Sequence, residues 1–487
     1  MRRGIARDDR RSMTQTGRGL TSGTIWKQIV LFALPLLAAS LIQLLYNFVN
    51  QVFAGQFIGT NASAAIAASG LLLACLVNFF NGLGVGASVI VAQHFVQEGH
   101  EDYSKALHTT VALAFVGGVA LTVVGLVCSP IFLTWLQTPA EVFDDAVLYL
   151  RVYFISSLPM VSYNLLAGVI RALGNSRSPM FYQLIGGFVN LVVNIVLVTV
   201  LKVGVVGPAI ATVFAQLISA FLAFRYLLRL DEHHRLYPQR IRFHGHMLKR
   251  ILIIGVPAGI QMMSITLSNL IIQSQINRLS VKEIAAFAYY FQLESFIYNP
   301  ITAIGQTVMV FVSHNVAVGQ AMRAKKGLRT ATLIGLAVSI GVAIFMMAIA
   351  PQCFGLFTPD AETIGYGVIV MTTTFPFYFF YVFIEVFSNA ARGSGRSWQP
   401  MTIVFCCMCG LRLVLLFAFV NLIGGIQSIA MVYPPTWAAA GGLLALYYFV
   451  SHCIDRNEFS LAAEAAEIHA DAGHGGKFAE SCDGDEE

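Results

Sequence analysis

Apolar runs of about 20 residues, parted by short polar breaks, recur along nearly the whole chain. A helix of about 20 apolar residues, rising about 1.5 Å per residue, crosses a hydrocarbon core of about 30 Å. The runs predict spans at 28–50, 63–94, 107–133, 146–169, 180–201, 204–224, 251–276, 284–314, 330–356, 364–391, 399–420 and 429–451. The expected fold is therefore an all-α integral membrane bundle of about twelve helices. Pro35, Pro159, Pro257, Pro300 and Pro376 fall inside these runs. They predict kinks rather than breaks, because neighbouring helices re-satisfy the carbonyls that proline frees.

The pattern repeats. Arg171-Ala-Leu-Gly174 followed by Pro179-Met180 recurs 221 residues later as Arg392-Gly-Ser-Gly395 followed by Pro400-Met401. Asn78 and Asn299, Gly84 and Gly305, and Pro130 and Pro351 keep that offset, while Pro35/Pro257, Asn47/Asn269 and Gln51/Gln273 match at 222. Each copy holds six spans, an even number, so both enter the membrane from the same side. Two parallel six-helix repeats around a central cavity follow, related by a pseudo-two-fold axis along the membrane normal. The expected divisions are a basic N-terminal segment 1–27, an N-lobe 28–229, a linker 230–250, a C-lobe 251–453 and an acidic, disordered tail 454–487.

Composition agrees: 57% of the 487 residues are hydrophobic and 11% charged, against about 25% charged in soluble domains. The mean hydropathy is +0.71. Charge then gives orientation. Of the 30 Lys and Arg, 25 lie in segments on the side of the N-terminus and 3 on the other, with Arg151 and Arg412 inside spans. Since basic residues accumulate inside, both termini are expected in the cytoplasm and the protein in the cytoplasmic (inner) membrane. The Arg-rich start precedes an apolar run too long for a signal peptide, so that run is expected to remain as the first span. The eight cysteines form no framework, and Cys406 and Cys409 read as small apolar helix residues rather than metal ligands.

The stretches LPLLAASLIQLLYNFVNQVFAGQFIG in the first span, RALGNSRSPM between spans 4 and 5, FVSHN closing span 8 and FIEVFSNAARGSGRSWQPM from span 10 into span 11 occur in order, each in its own half. This set resembles the multidrug and toxic compound extrusion (MATE) family over roughly residues 24–452. The resemblance implies a two-lobe, twelve-helix exporter of cationic drugs and metabolites, driven by sodium or proton influx. Similar members usually carry an acidic residue at the end of the first span, where this chain has Asn50, and often Arg where it has Gln56. An N-lobe carboxylate for the coupling cation is therefore missing.

Only two acidic residues fall inside spans, Glu294 and Glu385. An ionised group at a helix centre costs about 2.5–3.5 kcal/mol on insertion scales, so such residues face the bundle interior and carry function. The family's cation site is carried over to these two residues alone. Counting from the predicted helix ends puts them within about 6 Å in depth, compatible with one C-lobe cavity. Tyr378, Tyr381, Asn389 and Arg392 share a helical stripe with Glu385, and Tyr378 and Tyr381 are candidates to stack on a lipophilic cation. Asn47, Asn190 and Asn269 are candidate cavity amides, and Arg412 is expected to compensate a carboxylate or bond carbonyls.

No glycine-rich phosphate loop follows a strand pattern, so ATP-driven transport has no support. No cofactor is expected beyond a coupling sodium ion or proton. The leading reading is an antiporter that exports small cationic molecules as a monomer embedded in membrane lipid, with no nucleic-acid partner and no enzymatic role. The alternative is a lipid-linked saccharide flippase of related two-lobe design, which would need cavity cations; Arg412 and Arg151 are the only candidates. A membrane enzyme would need clustered His and acidic ligands at one depth, which the sequence lacks.

Overall fold

The computed structural model describes residues 20–53, 60–97, 100–135, 140–204 and 206–455, with the side chains of 46–53, 60–74, 135 and 140–142 outside that description. The N-terminal segment before Leu20, the acidic tail beyond Asp455 and the side chains of Asn47 and Asn50 thus lie outside the described residues.

The chain forms helices throughout because its runs are apolar and its breakers sit between them. The spans are α1 (Ile25–Phe53), α2 (Thr60–Phe95), α3 (His100–Trp135), α4 (Ala140–Ile155 and Ser157–Ala172), α5 (Arg177–Val200) and α6 (Val206–Leu228) in the first half. In the second half they are α7 (Gly245–Ile276), α8 (Val281–Ala317), α9 (Ala321–Ala348), α10 (Ala361–Phe377 and Phe379–Gly393), α11 (Trp398–Leu422) and α12 (Gly425–Ser451). Among the described residues ten helices are long and apolar enough to cross a membrane, and twelve if each bent pair is one span. All twelve overlap the predicted runs.

Two predicted kinks are breaks instead. The two segments of α4 meet at 43° and those of α10 at 50°. The break residues, Ser156 and Tyr378, stand at the same point of the repeat to within one residue. Pro159 lies in the first turn after the first break, where its missing N–H costs nothing; Pro376 lies in the 3₁₀ turn before the second. Pro35, Pro257 and Pro300 remain inside continuous helices. The repeated arginine motifs end the second segments of α4 and α10 alike. Gly174 (φ 84°) and Gly395 (φ 90°) take the left-handed conformation after the helix, and their N–H groups bond Arg171 O and Arg392 O at 2.9 Å each. A glycine suits that φ because it has no Cβ to clash.

The helices α8 and α10 are pinned together at their first turns. Ser280 and Glu283 form a capping box on α8, Asp360 caps α10 by accepting from the Thr363 N–H at 3.1 Å, and Lys282 bridges to Asp360 (3.4 Å) and Glu362 (2.5 Å). The Thr363 hydroxyl and N–H, and then Lys282, hold the Asp360 carboxyl below the usual carboxylate range.

The lobes meet where α2 packs along α7. A Cβ on Gly82 would fall 2.1 Å from the Gly259 nitrogen, and one on Gly86 2.3 Å from the Ile251 carbonyl oxygen. Glycine at these positions lets the backbones approach within a distance no side chain permits. The linker does not float as a solvated loop: Leu236 is buried, the Tyr103 hydroxyl donates to His234 O at 3.1 Å, and the Tyr237 N–H donates to His108 Nε2 at 3.1 Å.

Candidate functional site

Glu294 sits on α8 among aromatic hydroxyls. Tyr290, one turn before it, donates to Glu294 Oε1 at 3.3 Å, and Tyr378 donates to the same oxygen from the break of α10. Two hydroxyl donors on one oxygen leave a carboxylate that acts as acceptor. Tyr298, one turn after Glu294, sets its ring 5.5 Å from Tyr381 at a tilt of 46°, and Tyr381 lies 6.0 Å from Tyr378. Trp437 of α12 closes the group, with its ring 4.5 Å from Tyr378 and 5.5 Å from Tyr433.

Glu385 stands seven residues beyond Tyr378. Asn389 Nδ2 donates to Glu385 Oε2 at 3.0 Å and to its carbonyl at 2.8 Å, and Arg392 Nη1 donates to Asn389 Oδ1 at 3.2 Å. The expected stripe is therefore a hydrogen-bonded relay running from Arg392 through Asn389 to the carboxylate. The carboxylates do not share partners. Glu294 is bonded from the break of α10, and Glu385 lies seven residues further along that helix, against Gly305 of α8, so the two stand at different levels. They line one α8–α10 seam, linked by Tyr378, Tyr381 and Tyr298.

Gly305 admits Glu385 to that seam. A Cβ there would lie 2.8 Å from Asn389 Nδ2 and 2.9 Å from Glu385 Oε2. Gly305→Ala must displace this pair, and overpacking of this kind costs about 1–3 kcal/mol. A lowered melting temperature is expected. Gly84→Ala is the internal control, since its Cβ would meet nothing closer than 3.7 Å. Equal melting temperatures for the two variants would show that the Gly305 contact imposes nothing.

Arg412 is buried at 3% exposure, following the π-helical turn Cys406–Leu411. Its guanidinium donates to Asn269 Oδ1 at 3.0 Å, Ser268 Oγ at 3.5 Å and Met408 Sδ at 3.0 Å, and lies 5.0 Å from the Tyr433 ring centroid. It is within electrostatic reach of Glu294 without an ion pair to it. Its hydrogen-bond partners are thus side chains rather than carbonyls. Asn269 is joined to Arg412 and is exposed, whereas Asn190 is buried and accepts from Asn194 Nδ2 at 3.1 Å. Tyr378 and Tyr381, expected as cavity walls, are 1% and 4% exposed, so both rings are packed inside the C-lobe.

Tyr290, Tyr298, Tyr433 and Trp437 were not among the predicted residues. Tyr290 and Tyr298 had a signal, since they flank Glu294 at one helical turn on either side. Tyr433 and Trp437 had none, because their approach depends on α12 packing beside α10. The repeat sharpens the contrast between the lobes. The first-half counterparts of Glu294, Glu385 and Arg412 are Leu73, Asn164 and Leu191, so the charged site has no twin.

Comparison with known proteins adds independent findings. The MatE family model matches residues 35–196 and again 257–418. The chain is 26% identical over 438 residues, 87% of its length and 94% of the relative, to the probable multidrug resistance protein YoeA of Bacillus subtilis (strain 168). It is 24% identical to a FAD transporter of Shewanella oneidensis, covering 88% of this chain and 95% of that one. Among solved structures, an outward-facing multidrug resistance MATE family transporter of the MOP superfamily superposes with a TM-score of 0.84 at 19% identity, covering 91% of this chain and 98% of that one.

Proposed function

Because the chain belongs to the MatE family, we propose that it is a secondary antiporter exporting small organic cations or drugs in exchange for sodium ions or protons, with Glu294 and Glu385 as the cation-carrying groups. The observation that carries this reading is the pair of carboxylates on α8 and α10, each held by polar donors, beside a broken span. Discontinuous helices and intramembrane carboxylates are where coupled transporters bind their ions. Tyr298, 37% exposed one turn from Glu294, presents a ring that attracts lipophilic cations, worth up to about 2 kcal/mol when desolvated.

Antiport follows from competition. A substrate cation and a coupling cation that both need the same carboxylates disfavour each other, so arrival of one promotes release of the other. The basic end of the bundle faces the cytoplasm in this reading, which puts both termini on the cytoplasmic side of the inner membrane in a monomeric protein. A flippase would need a cation free to hold phosphate, whereas the buried guanidinium of Arg412 is already engaged by Asn269 and Met408.

Reconstitution tests the reading. Proteoliposomes loaded with a cationic dye should move it uphill when an opposing sodium or proton gradient is imposed, and the driving cation identifies the coupling ion. Dye flux that only follows its own gradient under both conditions would remove antiport.

A further inference from the structure

At the basic end, the two lobes exchange hydrogen bonds. Gln93, near the end of α2 in the N-lobe, donates through Nε2 to the carbonyl of Gly393, which ends α10 in the C-lobe, at 3.2 Å. His314, near the end of α8 in the C-lobe, bonds through Nε2 to the carbonyl of Ala172, which ends α4 in the N-lobe, at 2.7 Å. A carbonyl only accepts, so this nitrogen carries the proton.

These are one interaction made twice. Gln93 and His314 are separated by 221 residues, as are Ala172 and Gly393, so the pseudo-two-fold axis exchanges the two bonds. The next residues obey the same relation. His94 Nδ1 bonds the Ile90 carbonyl at 2.9 Å and Asn315 Nδ2 bonds the Phe311 carbonyl at 2.8 Å, each four residues back on its own helix. Both acceptors are terminal carbonyls, which have no partner within their own helix. Each lobe thus bonds the helix end of the other, and the Gly393 carbonyl accepts in addition from the Ser313 hydroxyl of its own lobe at 3.2 Å. Gln93 and His314 are 1% and 0% exposed, so neither bond competes with water while the lobes are together.

We propose that Gln93 and His314 form a reciprocal clasp that seals the basic end of the central cavity and must open once in every transport cycle. The proposal rests on the transporter reading above and assigns these two residues a positioning role in alternating access. Parting the lobes at this end strips two buried donors and the Ala172 carbonyl of their partners at once, while the Gly393 carbonyl keeps only the Ser313 hydroxyl of its own lobe. Closing restores both bonds together, so the clasp acts as a two-state element rather than a graded hinge. The glycine-lined contact of α2 with α7 supplies the adjoining surface that separates with it.

The test uses the full chain in lipid nanodiscs and proteoliposomes. In Gln93→Met/His314→Leu, amide hydrogen exchange over 88–95 and 309–317 should rise at least about tenfold, an opening easier by about 1.4 kcal/mol. Steady uphill accumulation of dye should fall about fivefold, while equilibrium dye binding in detergent stays unchanged. Because the two positions use different donors for the same bond, the exchange Gln93→His/His314→Gln should retain most of the transport that the first variant loses. Normal exchange rates and full accumulation in the Met/Leu protein would overturn the proposal, as would an exchange variant as impaired as Met/Leu. If the double variant is not monodisperse, Gln93→Met alone, nearly isosteric, should show the faster exchange over 88–95, and its absence there overturns the clasp. Faster exchange in a protein whose parent moves no dye would leave the clasp standing and refute the antiport reading instead.

Discussion

Glu385→Gln is expected to abolish gradient-driven export while leaving expression and melting temperature close to those of the parent. Glutamine keeps the volume of the side chain and can still bond Asn389, whose Nδ2 lies 3.0 Å from the Glu385 carboxylate. What it removes is the charge, and with it any reason for a coupling cation to rest there. A loss of at least about 100-fold in uphill transport, or about 2.7 kcal/mol of lost stabilisation, should be seen in everted vesicles with a cationic dye. Downhill dye leakage measured on the same vesicles separates lost coupling from lost protein. Intact uphill transport in this variant would take Glu385 out of the mechanism and leave Arg392 and Asn389 as structural supports of the α10 end.

Glu294→Gln should be nearly as damaging, and its effect should not add to that of Glu385→Gln. Charges about 10–15 Å apart in a protein interior interact by roughly 1–2 kcal/mol at an effective dielectric constant of 20. The occupancy of one carboxylate therefore changes what the other binds. The single Glu294→Gln variant is expected to shift the sodium or pH dependence of transport that remains through Glu385. The double variant should cost at least about 1 kcal/mol less than the sum of the singles in a double-mutant cycle of transport rates. Strict additivity would assign the two carboxylates to independent sites and return Glu294, with its Tyr290 and Tyr378 donors, to a structural role.

The architecture was legible because lipid imposes it. A chain that must satisfy its backbone in hydrocarbon writes its helices as long apolar runs, and a duplicated bundle repeats its glycine and proline punctuation at one offset. The same logic marked Glu294 and Glu385, since a carboxylate in a span stands out against its neighbours. The breaks of α4 and α10 were hidden because proline was read as the agent of bending. Pro159 in fact follows its break, and Tyr378 at the other break is not a residue that disrupts helices. The bond from Tyr378 to Glu294 joins residues 84 apart, and only the packing of α8 on α10 creates it. Gln93 and His314 passed as ordinary polar residues near helix ends, although the offset of 221 already paired them. Their acceptors are backbone carbonyls, which a side-chain pattern does not display.

With Glu294, Glu385 and Arg412 all in the second repeat, the membrane potential acts on the two lobes unequally. A field across the bilayer does about 2.3 kcal/mol of work per elementary charge per 100 mV, and the first lobe offers it no deep charge at the matching positions. If the two glutamates hold the coupling cations as proposed, the second lobe is the electrical arm of the molecule, its sign set by how many cations they hold. The first lobe carries Leu73, Asn164 and Leu191 at the matching positions, so in the antiport reading the voltage dependence that comes from these three charges belongs to α8, α10 and α11.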